Sequence, residues 1–280
     1  MSAQGESSGL VAGAAIAGAQ GQSPLVLDVL WLYPDILNLH GDRGNAMALK
    51  RVATQLGVTT RIQRVERLGD RFDLDQADLI LVGPGELAAL PAVVDALCPM
   101  TEQLREFVNV GKGFYLSGPS AGLVASRTTR CDGSVIEGLG LLDLDLHERQ
   151  VIYGDDLIIA CGDQELNGIQ IRMVNYHLGP DHDQAPLGRV LYGLGNSGEQ
   201  PDHEGVRRKN LIATNLLGPA LVKNPWFTAR YIREVLTRKY HGLTLPDPDP
   251  ESWAFERQGA VAARRFNQSK KTLPGVLQLL

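Results

Sequence analysis

Residues 113–122 read G-F-Y-L-S-G-P-S-A-G, an apolar strand end running through a Gly-bracketed turn into small, helix-permissive residues. Many α/β enzymes mount a nucleophile on such a strand–turn–helix elbow. The turn pushes one side chain out of the sheet, and N–H groups of the following helix can stabilise an oxyanion. Two hydroxyls compete for that role, Ser117 and Ser120. Gly118-Pro119-Ser120-Ala121-Gly122 also matches the short G-x-S-x-G pattern of serine hydrolases. A triad built on it needs a later acid and then a histidine, and His177, His182 and His203 sit in loop-like stretches with nothing to fix their register. Ser120 has a structural alternative: in the first turn of the elbow helix it would cap orphan N–H groups.

Other polar clusters carry weaker chemistry. Asp181-His182-Asp183 could be drawn as a metal site, but no second ligand pair accompanies it and a solvated loop is the reading preferred. Asp42 and Arg43 could bind a partner or substrate, or could order their own loop through neighbouring N–H groups. Gly193, Gly195 and Gly198 form no phosphate fingerprint, because no helix follows them. No cofactor is expected.

The elements that must position the elbow follow from periodicity. Leu25 to Leu32 is a nearly continuous apolar run, as is Ala77 to Val82, and each suits a strand buried on both faces. Ala46 to Leu56 has helical composition and ends at Gly57, Val58 to Val65 alternates as a strand, and Leu87 to Leu97 and Thr101 to Val110 read as helices. With Gly113 to Ser117 as the next strand, this alternation predicts a doubly wound parallel sheet. The loop after Leu32, the Gly83 to Gly85 turn and the Ser117 elbow should then share its carboxyl edge. From Cys131 to Val174 short β-like pieces (151–153, 157–160 and 169–174) suggest appended hairpins, and Pro225 to Lys239 reads as a helix. The Pro246 to Pro250 stretch is a stiff linker, followed at Glu251 to Ser269 by a docking helix or a tail.

Bulk properties narrow the function classes. A chain of 280 residues with net charge −5 has no general reason to bind nucleic acid. Three scattered cysteines, Cys98, Cys131 and Cys161, fit a reducing cytoplasm. No apolar run approaches the ~18 residues that span a bilayer. Residues 1–23, rich in Gly, Ser and Ala and lacking a basic start, read as a disordered leader.

Three stretches together resemble one family. Asn38 to Asn45 (NLHGDRGN) resembles its "NLYxDxGN" loop, and Glu137 to Asp143 its "EGLGLLD". Pro186 to Pro225, PLGRVLYGLGNSGEQPDHEGVRRKNLIATNLLGPALVKNP, resembles its "LGxVxxGxGNNxEDxxEGxxYKNxxGTYLHGPxLxxNP". The family is the CobB/CobQ-like class I glutamine amidotransferases, in the branch that supplies the glutaminase subunit of lipid II isoglutaminyl synthase. The resemblance covers residues 25–240 and implies a flavodoxin-like glutaminase fold, a parallel sheet with helices on both faces and an appended β-hairpin region. It further implies an elbow Cys that attacks the glutamine side-chain amide, an assisting His, and ammonia passed to a Mur-ligase-like (MurT-type) partner that amidates lipid II with ATP.

Position by position, the family's chemistry is missing. The elbow Cys falls on Ser117 and the His of "TYLHGP" on Leu217. A serine hydroxyl is almost never ionised at neutral pH, and leucine can neither take nor return a proton. Pro84 in the Gly83-Pro84-Gly85 turn has no N–H to donate. The family's substrate-contacting Arg aligns with Val151 or Ile152, with Arg149 out of register, and His177 falls in the family's "ENHGGRT" loop, where a surface histidine is the preferred reading. The expectation is a catalytically degenerate glutaminase-like subunit of a cytoplasmic heterodimer in peptidoglycan synthesis, cell wall biogenesis and cell shape, able at most to hold glutamine without turnover. The alternatives are an active amidotransferase or hydrolase using Ser117 or Ser120, or a cobalamin-pathway relative. The expected organisation is a leader (1–23), an amidotransferase domain (24–242) and a C-terminal linker and tail (243–280).

Overall fold

The structure, a computed structural model, describes residues 24–198 and 203–270, so the expected leader lies outside the described residues. Strands β1 (Val26–Leu32), β3 (Leu79–Val82), β4 (Gly113–Ser117) and β12 (Leu211–Thr214) are nearly or wholly buried along their length. Their continuous apolar runs belong in a parallel sheet covered on both faces. The edge strand β2 (Thr59–Val65) is instead largely exposed. The described sheet runs β11-β12-β4-β3-β1-β2, where only β11 (Val206–Arg208) is antiparallel. Counting parallel strands along the chain gives the order 2-1-3-4-5 of flavodoxin-like folds, with its switch point between β1 and β3.

Helices cover both faces, as expected. On one, α1 (Arg43–Gln55) and α5 (Pro225–Lys239) bury Leu49, Val52, Ile232 and Val235; on the other, α2 (Leu90–Leu97) and α3 (Thr101–Asn109) bury Val93, Leu104 and Phe107. Each such side chain contributes about 1.5–3 kcal/mol. Helix α1 begins at Arg43 rather than Ala46 because Asn38 Oδ1 accepts from the Arg43 N–H at 3.1 Å, so the polar loop itself starts the helix. Helix α5 starts on Pro225 and ends on Lys239, whose ammonium lies 2.7 Å from Asp78 and 3.3 Å from Asp28 at the opposite edge of the sheet.

The second half carries the expected antiparallel hairpin, but in longer strands than the short pieces suggest. The pieces at 151–153, 157–160 and 169–174 are parts of two long strands, β7 (Leu144–Cys161) and β8 (Gln164–Leu178), paired as one antiparallel hairpin. Gly154, Asp155 and Asp156 stay inside the ladder, and the chain turns at Gly162-Asp163. Residues 149–152 bulge out of β7 between the pairs Glu148–Val174 and Tyr153–Arg172. Strands β5 (Arg127–Thr129), β6 (Val135–Glu137), β9 (Gly188–Tyr192) and β10 (His203–Glu204) complete this second sheet.

After α4 (Ala220–Lys223) and α5, the chain turns at Pro250–Trp253 into helix α6 (Ala254–Ser269), which docks on the domain. Trp253 is buried and donates to Gln55 at 2.9 Å. The rest of the attachment is polar: Glu256 pairs with Arg51, Arg264 with Glu165 at 2.6 Å, and Asn267 donates to Asp156 at 3.1 Å. Lys270 follows with a 2.6 Å pair to Asp155. Phe255 and Phe266 remain 87% and 59% exposed. Among the described residues no helix is long and apolar enough to cross a membrane.

The carboxyl edge is tight at Gly83, where an added Cβ would lie 2.3 Å from the Leu37 carbonyl oxygen and 3.1 Å from Asp42 Oδ2. Gly83→Ala is therefore expected to destabilise the fold by about 2–4 kcal/mol. Urea unfolding reads this as a lower midpoint at unchanged slope; an unchanged midpoint would show that the turn has room for a methyl group.

Candidate functional site

The site lies at the carboxyl ends of β1, β3, β4 and β12, where a doubly wound sheet places its ligands. The loop after β1, the Gly83 turn and the elbow do share this edge: the Leu39 N–H donates to the Pro84 carbonyl at 2.9 Å, and Ser120 Oγ donates to the Gly83 carbonyl at 2.7 Å. Ser117 is the last residue of β4, paired in register with Thr214 of β12. Its backbone is ordinary extended strand (φ −120°, ψ 141°), and the sharp turn falls on Gly118 at φ +57°, a conformation that favours glycine. A short 3-10 stretch, Gly118–Leu123, follows, so no α-helix presents a row of N–H groups to the elbow.

Ser117 and Leu217 come together, and both are sealed. Ser117 is 0% exposed and Leu217 1% exposed. A Cβ placed at Gly118 would sit 3.4 Å from Pro84 Cβ and 3.5 Å from Leu217 Cδ2, so aliphatic groups line both sides of the turn. The hairpin holds this closure in place. Leu217 exchanges two backbone hydrogen bonds with Ile169 of β8, at 3.1 and 2.8 Å. Tyr176, further along β8, donates its hydroxyl to the Gly118 carbonyl at 2.6 Å.

Ser120 is wholly buried and spends its proton on Gly83, which corrects the expected capping role. The histidines considered for a triad are all exposed. His177 meets His147 across the β7–β8 pair in a tilted arrangement with ring centroids 4.5 Å apart, and His182 and His203 lie on the surface. The 181–183 loop is ordered by its own acids: Asp181 Oδ1 accepts from the Asp183 N–H at 2.9 Å. No group of three or more metal-ligating side chains occurs among the described residues.

The sequence reading missed what Ser117 does touch. Its hydroxyl points at Asp42 Oδ1, 3.4 Å away, and the same oxygen accepts from Asn45 Nδ2 at 2.6 Å. Asn45 in turn accepts from the Leu221 N–H at 2.9 Å, tying the loop to α4. Asp42 is 3% exposed, and its Oδ2 has no hydrogen-bond partner. Desolvation pushes its pKa up to about 7, against a smaller lowering by the Ser117 hydroxyl. Glu204, at the far side of β12, is likewise raised to about 7 by burial, although it accepts from the Asn215 N–H at 2.6 Å and Thr214 Oγ1 at 3.0 Å. Wholly buried Tyr115 of β4 is held well above its usual range by desolvation first and then by these two acids. Asp42 stands in the NLHGDRGN loop, but its burial against β4 depends on contacts remote in sequence.

Chemically, this arrangement is a hydroxyl beside a weakly basic, half-protonated carboxyl, closed off from solvent. It offers no imidazole to move a proton and no open face for a substrate.

The topology and the elbow define an α/β domain of the class I glutamine amidotransferase type. In sequence the chain is a homologue of GatD subunits of lipid II isoglutaminyl synthase. It is 29% identical over 236 residues to the "Lipid II isoglutaminyl synthase (glutamine-hydrolyzing) subunit GatD" of Streptococcus pneumoniae (strain ATCC BAA-255 / R6), covering 82% of this chain and 89% of that one. It is 27% identical over 247 residues to the subunit of the same description from Staphylococcus aureus (strain N315), covering 88% and 98%. A crystal structure of a glutamine amidotransferase aligns at TM-score 0.49 and 18% identity, over 74% of this chain and 98% of that one. No protein-family model matches the chain.

The raised acids set a pH dependence. The unfolded chain ionises Asp42 near its ordinary 3.8, whereas the folded chain resists until about 7. Their contribution to stability is thus fully present below pH 4 and is lost as pH rises towards 7. Asp42→Asn is expected to flatten this fall and to raise stability above pH 7 by up to a few kcal/mol, on the order of the pKa displacement. Denaturant midpoints from pH 4 to 8 test it; a variant with the same pH slope as the parent would show that Asp42 ionises freely in the fold.

Proposed function

We propose that this chain is a GatD-like subunit of a lipid II isoglutaminyl synthase-type complex that does not hydrolyse glutamine. One observation carries the reading: Ser117 ends β4 without solvent exposure, closed in beside Leu217 and Pro84. On this reading Ser117 stands where the relatives carry a thiol, and Leu217 where they carry a histidine. Hydroxyl for thiol costs the nucleophile its ionisable form, and leucine for histidine removes the group that would accept its proton and protonate the leaving amine. Pro84 adds nothing to an oxyanion hole, since it has no N–H.

The partner on this reading is a cytoplasmic, Mur-ligase-like (MurT-type) subunit acting on a peptidoglycan precursor. The heterodimer would take free ammonia, and this chain would stabilise or regulate the ligase and hold glutamine, if at all, without turnover. The test is co-purification of the partner followed by assay of the complex. Ammonia should support amidation and glutamine should not. Glutaminase activity abolished by Ser117→Ala would overturn the proposal.

The Asp42–Ser117 contact favours a second reading, a serine-dependent hydrolase with a carboxyl base. A serine-reactive phosphonate separates the two. No labelling of Ser117 or Ser120 is expected from the degenerate subunit, and covalent labelling at either serine would support the hydrolase.

A further inference from the structure

We infer that Arg149, Arg172 and Asn175 form a binding site for a small oxyanion of the phosphate type, distinct from the elbow. Arg172 of β8 is wholly buried, yet its guanidinium is only partly bonded. Its Nη2 donates to Asn175 Oδ1, while Nε and Nη1 have no hydrogen-bond partner. Arg149 reaches the same Asn175 oxygen through its Nη1. One neutral acceptor therefore stands between two guanidinium groups, and neither has an ion-pair partner among the described residues.

The fold builds this juxtaposition. The bulge at residues 149–152 lies between the pairs Glu148–Val174 and Tyr153–Arg172, and it brings Arg149 onto Asn175. Bulges of this kind re-aim side chains. The backbone at Gly198 closes over Arg172, since a Cβ there would lie 2.6 Å from Nη1. Arg149 and Asn175 are half-buried, so the approach is from their side.

The physical argument is charge balance. An unpaired buried charge is costly, and a second like charge beside it adds to the cost. Burial first, and then the neighbouring Arg149, pull the Arg172 pKa down to about 9, which still leaves the group charged at neutral pH. Unused N–H donors on a buried cation match oxygen atoms that carry negative charge. Two cations without an acid also repel an ammonium group, so a free amino acid such as glutamine suits the site poorly.

The test uses the full chain. Inorganic phosphate, against chloride at equal ionic strength, should raise Tm saturably and bind in calorimetry. Arg149→Gln, at a half-buried position, should keep the fold and weaken phosphate binding at least about tenfold, the loss of one charge-assisted contact. Arg172→Met should abolish binding without lowering the stability of the phosphate-free chain, because it removes an unpaired buried charge. Glycerol phosphate distinguishes the source: binding equal to that of phosphate assigns a phosphate carried on a larger molecule, exclusion assigns the free ion, and either supports the inference. Absence of saturable binding, or binding unchanged in Arg149→Gln, would overturn it. Glu199 and Asp202 lie outside the described residues. A stability loss in Glu199→Gln/Asp202→Asn that Arg172→Met suppresses would identify an internal counter-ion and also overturn the inference.

Discussion

The carboxyl edge of the parallel sheet is covered by the β7–β8 hairpin, and most of what is unusual in the molecule follows from that cover. Backbone and side-chain polar groups beneath it cannot reach water, so each needs a partner inside the protein. Ser120 is spent on Gly83, Tyr176 on Gly118, Asn45 on Leu221, and Glu204 on Asn215 and Thr214. Asp42 has one oxygen bonded and the other bare, and Asn215 Nδ2 and two donors of Arg172 are bare as well. The fold accepts that cost by keeping the carboxyl largely protonated in the range where free aspartates are charged.

The same cover suits the apolar groups that flank the elbow. A histidine at position 217 would need room and a polar partner; leucine there packs against the turn at Gly118 and carries a backbone bridge to Ile169. Pro84 gives up an N–H but still accepts from Leu39 through its carbonyl. Ser117 and Leu217 are therefore both interior: the scaffold has the strand order of a doubly wound sheet and a Gly118 elbow closed off from solvent.

Much of the scaffold was legible in the sequence. The unbroken apolar run ending at Ser117 and the Pro225 start of α5 each announced an element whose limits the structure keeps. An appended hairpin was expected, but the length of its strands was hidden because Gly154, Asp155 and Asp156 look like a turn, and only pairing with β8 shows them as strand. The closeness of Ser117 and Leu217 followed from the family resemblance. That of Ser117 and Asp42 did not, because local pattern says nothing about which acid a sheet will bury. Arg172 and Glu204 were missed for the same reason: nothing adjacent in sequence distinguishes a buried charge from a solvated one.

The attachment of helix α6 has a different physical character from the rest of the molecule. Beyond Trp253, its polar contacts with the domain are ion pairs and a hydrogen bond from the buried Asn267, and its phenylalanines are largely exposed. Exposed ion pairs are individually weak and weaken further as salt rises. The ion-pair share of the docking of the C-terminal helix thus weakens as salt rises, while Trp253 and Asn267 stay buried against the domain. The chain couples a core held by exclusion of water to an appendage held by one buried indole and a row of charges, so the ionic composition of the medium bears on the second more than on the first.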